Sequence, residues 1–382
     1  MVTSDGTART PVTSARSHIQ ARPAEACRYD IAAMGEVMLR LDPGERRIRS
    51  TRSFDAWDSG AEYNVARAFR RCFGLRGALV SAFVDNEVGR LLEDIILGSG
   101  LDLDFVHWVP FDGIGLAARN GLNFSERGFG VRGALGCVDR ANTAISRLRP
   151  GDVDWYELFA ERGVRLFHTG GIMAGLSDQA AETTRYAIQQ ARAHGTPVSY
   201  DLNYRPSLWR VQGGQTAAQR VNRELVRDVS VLLGNEEDFS TSLGITVEGI
   251  DASMTAIDVD AYARLAQAVA EEFPNLDVIG ITLRTVHSAT SNSWGALAWA
   301  RGGEIAVSQW RSEMAILDRL GGGDSFASGL LYGLLQGTSL QHAVDLGAAN
   351  GALAMTTPGD TTTATLAELE RMVAGAGTRV QR

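Results

Sequence analysis

The sequence predicts an α/β fold: a central, mostly parallel sheet flanked by helices, with a small β lid. Three observations predict it. From Tyr29 onward, short apolar runs alternate with segments of helical periodicity. Several of the apolar runs end in Gly, Asn or Asp and lead into a helix, the pattern of right-handed βαβ units. Two stretches, residues 42–58 and 105–139, are Gly-rich and mixed in polarity, and the alternation resumes after each, which reads either as a small β-layer beside the main sheet or as two independent surface loops. The expected organisation is a disordered tail over 1–28, one domain over 29–375 with those two lid segments, and a short tail over 376–382.

The elements follow in order. The first strand reads from Ile31 to Leu41. A helix spans Ala61–Phe73, with Val65, Phe69 and Cys72 on one face and Gly74 as its stop. Ala78–Val84 is a strand, and Asp85 is placed to cap a helix running to Leu97. Val164–His168 is a strand ending in Thr169-Gly170-Gly171, and Ser177 opens a long helix that stops at His194-Gly195. Strand Val198–Asp201, helix Ala217–Arg227, strand Val229–Gly234, helix Asp258–Glu272 and strand Val278–Leu283 continue the alternation. Two strands near Ala296 and Ile305 follow, and three helices starting near Gly323, Ser339 and Ala364 close the chain.

Composition removes several chemistries. All 37 basic residues among the 382 are arginine, and there is no lysine. A P-loop lysine, the strand lysine of protein kinases and any Schiff-base mechanism are therefore excluded. A net charge of −8 argues against nucleic acid as the main partner, while leaving room for a small anion held by a few arginines. Cys27, Cys72 and Cys137 lie far apart with no CxxC, which fits a reducing cytoplasm. Residues 1–27 lack the apolar run of a signal peptide, and no 18-residue apolar stretch predicts a membrane helix.

The strongest motif is Asp318-Arg319-Leu320-Gly321-Gly322-Gly323-Asp324, followed by Gly329. Three glycines running into a helix leave backbone N–H groups unobstructed, and the helix dipole favours an anion there. A bound phosphate would repel Asp324, so anion binding alone does not account for that residue. It reads either as a base that takes a proton from a hydroxyl attacking the phosphate or as a helix N-cap after a flexible loop. A literal GxGxxG at Gly128–Gly133 lacks the preceding strand and the later acidic residue of a dinucleotide site, and reads as a chance match.

Asp201-Leu202-Asn203-Tyr204-Arg205 stands at a strand end, where open α/β sheets place ligands. Arg205 is either a bidentate grip for a carboxylate or phosphate or a surface arginine before a proline turn. The acidic run Asn235-Glu236-Glu237-Asp238 either holds Mg²⁺ through waters or favours a helix start. Gly60 permits close approach of a ligand ahead of a helix, and Asn64 offers it a donor and an acceptor.

Taken together, the segments from Tyr29 to Val373 resemble the ribokinase-like family of carbohydrate kinases. The resemblance rests first on Asp318, Gly321, Gly323, Asp324 and Gly329, which fit that family's C-terminal signature. It implies that Asp324 is the catalytic base and that the amides of Gly321, Gly322 and Gly323 form the anion hole. Gly60 and Asn64 match a sugar-contacting Gly-Gly-x-x-x-Asn segment, with Ser59 in place of its first Gly. Asn235 and Asp238 match an Asn-x-x-Glu motif, shortened to Asp.

Within the family the chain is most similar to 2-keto-3-deoxygluconate kinases, through Gly35–Leu41, Ser146–Trp155, Asp201–Trp209, Asp318–Leu335 and Thr356–Asp360. The resemblance implies that Arg205 faces a substrate carboxylate. Arg40 stands where neutral-sugar kinases carry a hydroxyl-binding Asp, which fits an acidic sugar. Asn123 occupies a sugar-contacting position that is often aromatic. ATP is expected near Asn235, Thr282 and Asn350 with its γ-phosphate at Gly323, and Mg²⁺ held through water by Asp238 and Glu237. The implied reaction is phosphorylation of 2-keto-3-deoxygluconate at its 6-position, with a homodimer formed through the lid. A neutral-sugar kinase of the fructokinase or ribokinase type is the alternative within the family, and a catalytically silent sugar-binding regulator the alternative outside its chemistry.

Overall fold

The computed structural model describes residues 17–249 and 258–375. The first expected strand is two strands in two different sheets, β1 (Ile31–Met34) and β2 (Met38–Asp42). The break falls at Gly35, where a Cβ would lie 2.2 Å from the Glu62 carboxylate, so the chain passes a helix too closely for any side chain. Next come β3 (Asp55–Ser59), α1 (Ala61–Arg71), β4 (Gly77–Asp85), α2 (Glu87–Ser99) and β5 (Asp102–Pro110). Asn86, not Asp85, caps α2, accepting from the amides of Val88 and Gly89.

β6 (Gly121–Glu126) and β7 (Leu135–Asp139) precede β8 (Phe167–Gly170), α3 (Gly171–Ala174), α4 (Asp178–Ala193) and β9 (Val198–Asp201). Then follow α5 (Pro206–Arg210), α6 (Gly214–Val226), β10 (Val231–Asn235), α7 (Glu236–Leu243) and α8 (Val259–Glu272). A meander of β11 (Val278–Ser288), β12 (Ser291–Ala300), β13 (Glu304–Val307) and β14 (Arg311–Ala315) leads to α9 (Gly322–Leu335), α10 (Leu340–Ala354) and α11 (Leu366–Val373).

The large sheet runs β13-β12-β11-β10-β9-β8-β1-β4-β5, with β14 on β12. Its strands from β11 to β5 are parallel, and the meander adds an antiparallel edge. β1 and β8 are buried along their whole length, as strands covered on both faces must be. One core packs α4, α6, α7 and α8 on one face, and a second packs α1, α2, α9 and α10 on the other. The chain turns back across the sheet at β1, so the carboxyl ends of β1 and β8 to β11 border a crevice at a topological switch point.

The two Gly-rich excursions do pair. Four strands form a separate sheet in the order β3-β2-β6-β7. β5, expected within the second lid segment, belongs instead to the large sheet. The Gly128–Gly133 run is the connection between β6 and β7, which removes its resemblance to a dinucleotide loop.

The N-terminal segment departs from the expected tail. Residues 17–28 lie on the domain: Ile19 and Cys27 are buried, and Arg76 donates to the carbonyls of Ala24 and Cys27. Residues 1–16 and 376–382 lie outside the described residues. Among the described residues no helix is long and apolar enough to cross a membrane.

One side chain joins the two sheets. Arg40 on β2 is fully buried and forms ion pairs with Asp42 at 3.1 Å, Asp318 at 2.5 Å and Asp360. Asp318 lies just before the glycine turn and also accepts from the Leu320 amide, and Asp360 accepts from Ser59 at the end of β3. Removing the guanidinium leaves three buried carboxylates short of a counter-charge. Arg40→Ala is therefore expected to lose about 3–5 kcal/mol of stability in urea unfolding. An unchanged midpoint and slope would show that the cluster is not a structural tie.

Candidate active site

The glycine turn begins with Gly321, in the left-handed region at φ +72°. A Cβ there would fall 1.6 Å from the Asp360 carbonyl oxygen, so backbone conformation and close approach both require glycine. No side chain caps α9. Its first-turn amides therefore keep the free donors that a helix start always has.

Asp324 sits in that first turn. Asn64, in the first turn of α1, donates from Nδ2 to Asp324 Oδ2 at 2.7 Å. Burial pushes the Asp324 carboxyl up to about 6, Asp360 adds to the rise, and the Asn64 hydrogen bond and Arg205 oppose it. Asn64 Oδ1 is buried and unpartnered, as is Asn123 Oδ1 on β6 of the small sheet. Both acceptors are left for a ligand.

A cleft of about 970 Å³ opens over this turn, between the large sheet and the small one. Gly60, Asn64, Asn123, Arg205, Asn235, Glu237, Asp238, Thr282, Gly321, Gly322, Gly323 and Asp324 all line it. Among the described residues Arg205, at the N-cap of α5, donates only to the carbonyl of its neighbour Tyr204 and forms no ion pair.

Two expected residues do not reach the cleft. Arg40 spends its guanidinium on three carboxylates behind it, so it is not free to meet a sugar acid. Asn350 is fully buried under α9, donating to the Ser325 carbonyl and Ser328 Oγ and accepting from Thr362. It shapes the helix that carries Asp324 and does not touch the space a nucleotide would take.

The acidic run is a capping box. Asp238 accepts from the amides of Asn235 and Tyr204, and Asn235 accepts from the Asp238 amide. Both Asp238 oxygens are thus engaged, whereas the side chains of Glu236 and Glu237 form no hydrogen bond among the described residues. Among the described residues no three or more His, Cys, Asp or Glu side chains could hold a metal ion.

Sequence reasoning passed over several cleft residues. Asp201 lies at the end of β9 in a motif already singled out, and burial together with Asp238 and Asp324 pushes its carboxyl well above the usual range. Asp360 lines the cleft from a segment quoted only for its resemblance. Arg284 follows Thr282 by two positions on β11, a spacing that puts both on one face of the strand. Arg319 sits inside the glycine motif itself. Strand alternation would have found Arg284, and nothing local marks Asp360.

Known proteins of the same architecture are similar over most of this chain. A 2-dehydro-3-deoxygalactonokinase from Haloferax volcanii is 32% identical over 356 residues, covering 92% of this chain and 99% of that protein. The crystal structure of 2-dehydro-3-deoxygluconokinase from Thermotoga maritima superposes with a TM-score of 0.82 at 35% identity, covering 90% and 99% of the two chains. An E. coli protein described as a putative Ribokinase II, solved with ATP and Mg²⁺, shares the fold at a TM-score of 0.70 and 17% identity, over 91% and 99%. Residues 30–366 match the family model described as pfkB family carbohydrate kinase, and the chain belongs to that family of sugar kinases.

Proposed function

We propose that this kinase transfers the γ-phosphate of ATP to the 6-hydroxyl of a 2-keto-3-deoxy sugar acid, 2-keto-3-deoxygluconate first among them. The observation that carries the acidic-sugar reading is Arg205. Its guanidinium lines the cleft, forms no ion pair among the described residues, and is near enough to Asp324 to oppose the rise of its carboxyl. A planar fork of this kind matches a carboxylate bidentately. The relatives named for keto-deoxy sugar kinases support the same class.

In this reading the sugar lies between Asn64, Asn123 and Gly60, with its carboxylate on Arg205 and its hydroxyl at Asp324. Asp324 takes the hydroxyl proton as the oxygen bonds to the γ-phosphorus, and the bond to the bridging oxygen breaks with its electron pair leaving on ADP. The Gly321–Gly323 amides hold the phosphoryl oxygens while their charge redistributes. Magnesium, entering with the nucleotide, would neutralise phosphate charge, and Glu237 with its free oxygens fits a water-mediated hold on it better than the engaged Asp238. Asn235 and Thr282, neighbours in register on β10 and β11, border the nucleotide end.

The exposed strand β7, with Leu135 and Val138 open to solvent, supports a homodimer through the small sheet. Light scattering that shows a monomer at micromolar concentration would remove it.

Asp324→Asn is expected to lower kcat by about 10²–10⁴-fold. The base must be ionised, so wild-type kcat/KM falls as pH drops through about 6. A raised carboxyl pKa favours the fold below its ordinary value, and that contribution is lost as pH rises through 6. The Asn variant should therefore melt no lower than wild type at pH 7, which separates lost chemistry from lost folding. Full activity in that variant would refute the assignment. Arg205→Ala should raise KM for the keto acid by about tenfold or more and leave that of a neutral ketose nearly unchanged. Equal effects on both would overturn the acidic-sugar reading.

A further inference from the structure

Two arginines at the nucleotide end of the cleft have no structural partner. Arg284 on β11 and Arg319 at the glycine turn both line the cleft. Among the described residues neither forms an ion pair or a side-chain hydrogen bond. Arginines elsewhere in this chain are commonly paired, the half-exposed ones included: Arg185 with Glu224, Arg301 with Asp277, and within the same cleft Arg140 with Glu36. Arg284 and Arg319 are also close to one another. Burial and then the charge of Arg319 push the Arg284 guanidinium toward its neutral form, against a weaker opposite pull from Glu236, Glu237 and Asp238 on α7.

Two like charges held close together, with no ion pair to either among the described residues, repel one another in the empty protein. The fold tolerates that arrangement where a polyanion later supplies the missing charge. The position defines the anion. Arg284 follows Thr282 on the same face of β11, and Arg319 is two residues ahead of Gly321. The pair therefore flanks the approach to the glycine turn. We propose that Arg284 and Arg319 form a two-guanidinium clamp on the polyphosphate of the nucleoside triphosphate donor. It fills the part that lysine plays in phosphate sites elsewhere, in a chain that has no lysine. The clamp rests on the ATP-donor reading above and adds the residues that hold the donor's phosphates.

The test compares wild type with Arg284→Ala, Arg319→Ala and the double variant, using inorganic tripolyphosphate and ATP as titrants in calorimetry. Each single change is expected to weaken tripolyphosphate and ATP binding about tenfold, and the double change about a hundredfold. Affinity for the sugar acid alone should shift less than twofold, and lysine at either position should recover part of the loss. Removing an unpaired cation should leave the melting temperature of the empty protein equal or higher, where a structural role would lower it. Unaltered tripolyphosphate affinity in the folded double variant would overturn the clamp, as would equal loss of sugar-acid binding. Wild type that binds tripolyphosphate but transfers nothing from ATP would sink the donor reading alone and leave the clamp standing.

Discussion

The buried guanidinium of Arg40 is the interaction on which the rest of the site depends. It stands on the small sheet, yet its partners Asp318 and Asp360 come from the two segments that build the glycine turn. Asp360 then presses its carbonyl against Gly321 at a distance only glycine allows. The position of the turn relative to the small sheet is therefore set by charge and close packing together. A loop three glycines long would otherwise sample many conformations at a large entropic cost on ordering. Anchoring it at Asp318 and at Asp360 holds the glycines at the cleft lining before any ligand arrives, as the proposed anion hole would require of a preorganised site.

The same region carries an excess of carboxylates. Asp201, Asp238, Asp324 and Asp360 all have their carboxyls raised, with burial the first cause in each case. Such crowding weakens a site built only for holding anions. It suits one where a carboxylate must take a proton near neutral pH, because Asp324 at about 6 is a better base than an exposed aspartate and is still ionised at pH 7. The opposing cations are few: Arg205 acts on Asp201, Asp238 and Asp324, while Arg284 and Arg319 lie beside one another in the same cleft.

Much of this was legible in sequence because it is local. The glycine turn, the helix it starts and the strand ends at Asp201 and Asn235 follow from runs of neighbouring residues, and the structure brings them to one crevice. The exceptions share a cause. Arg40 meets Asp318 across 278 positions and Asp360 across 320, so no window of sequence shows that its charge is already spent. Asn350 reads as a cleft residue until α10 packs beneath α9 and turns its amide to Ser325 and Ser328. The break at Gly35 depends on Glu62 arriving from another element, and the docking of residues 17–28 on distant Arg76. Asp238 shows the reverse case: its capping role is readable from the Asn-x-x-Asp spacing itself, and it sharpens the helix-start alternative for that acidic run.

The absence of lysine acquires a physical meaning in this setting. An ammonium is a compact, strongly hydrated charge whose pKa falls readily on burial, whereas a guanidinium stays charged and offers a rigid fork. Arg40 shows how much burial a guanidinium withstands, since its charge persists with no exposure because three carboxylates surround it. Arg284 and Arg319 keep two positive charges close together at the solvent-exposed lining of the cleft, where like-charge repulsion would make lysines shed their protons more easily. A chain of net charge −8 that is proposed to handle two anionic substrates would have to concentrate positive charge locally and keep it there. Arginine at the strand ends and at the turn, with backbone amides between, does this without a residue whose charge the cleft itself would remove.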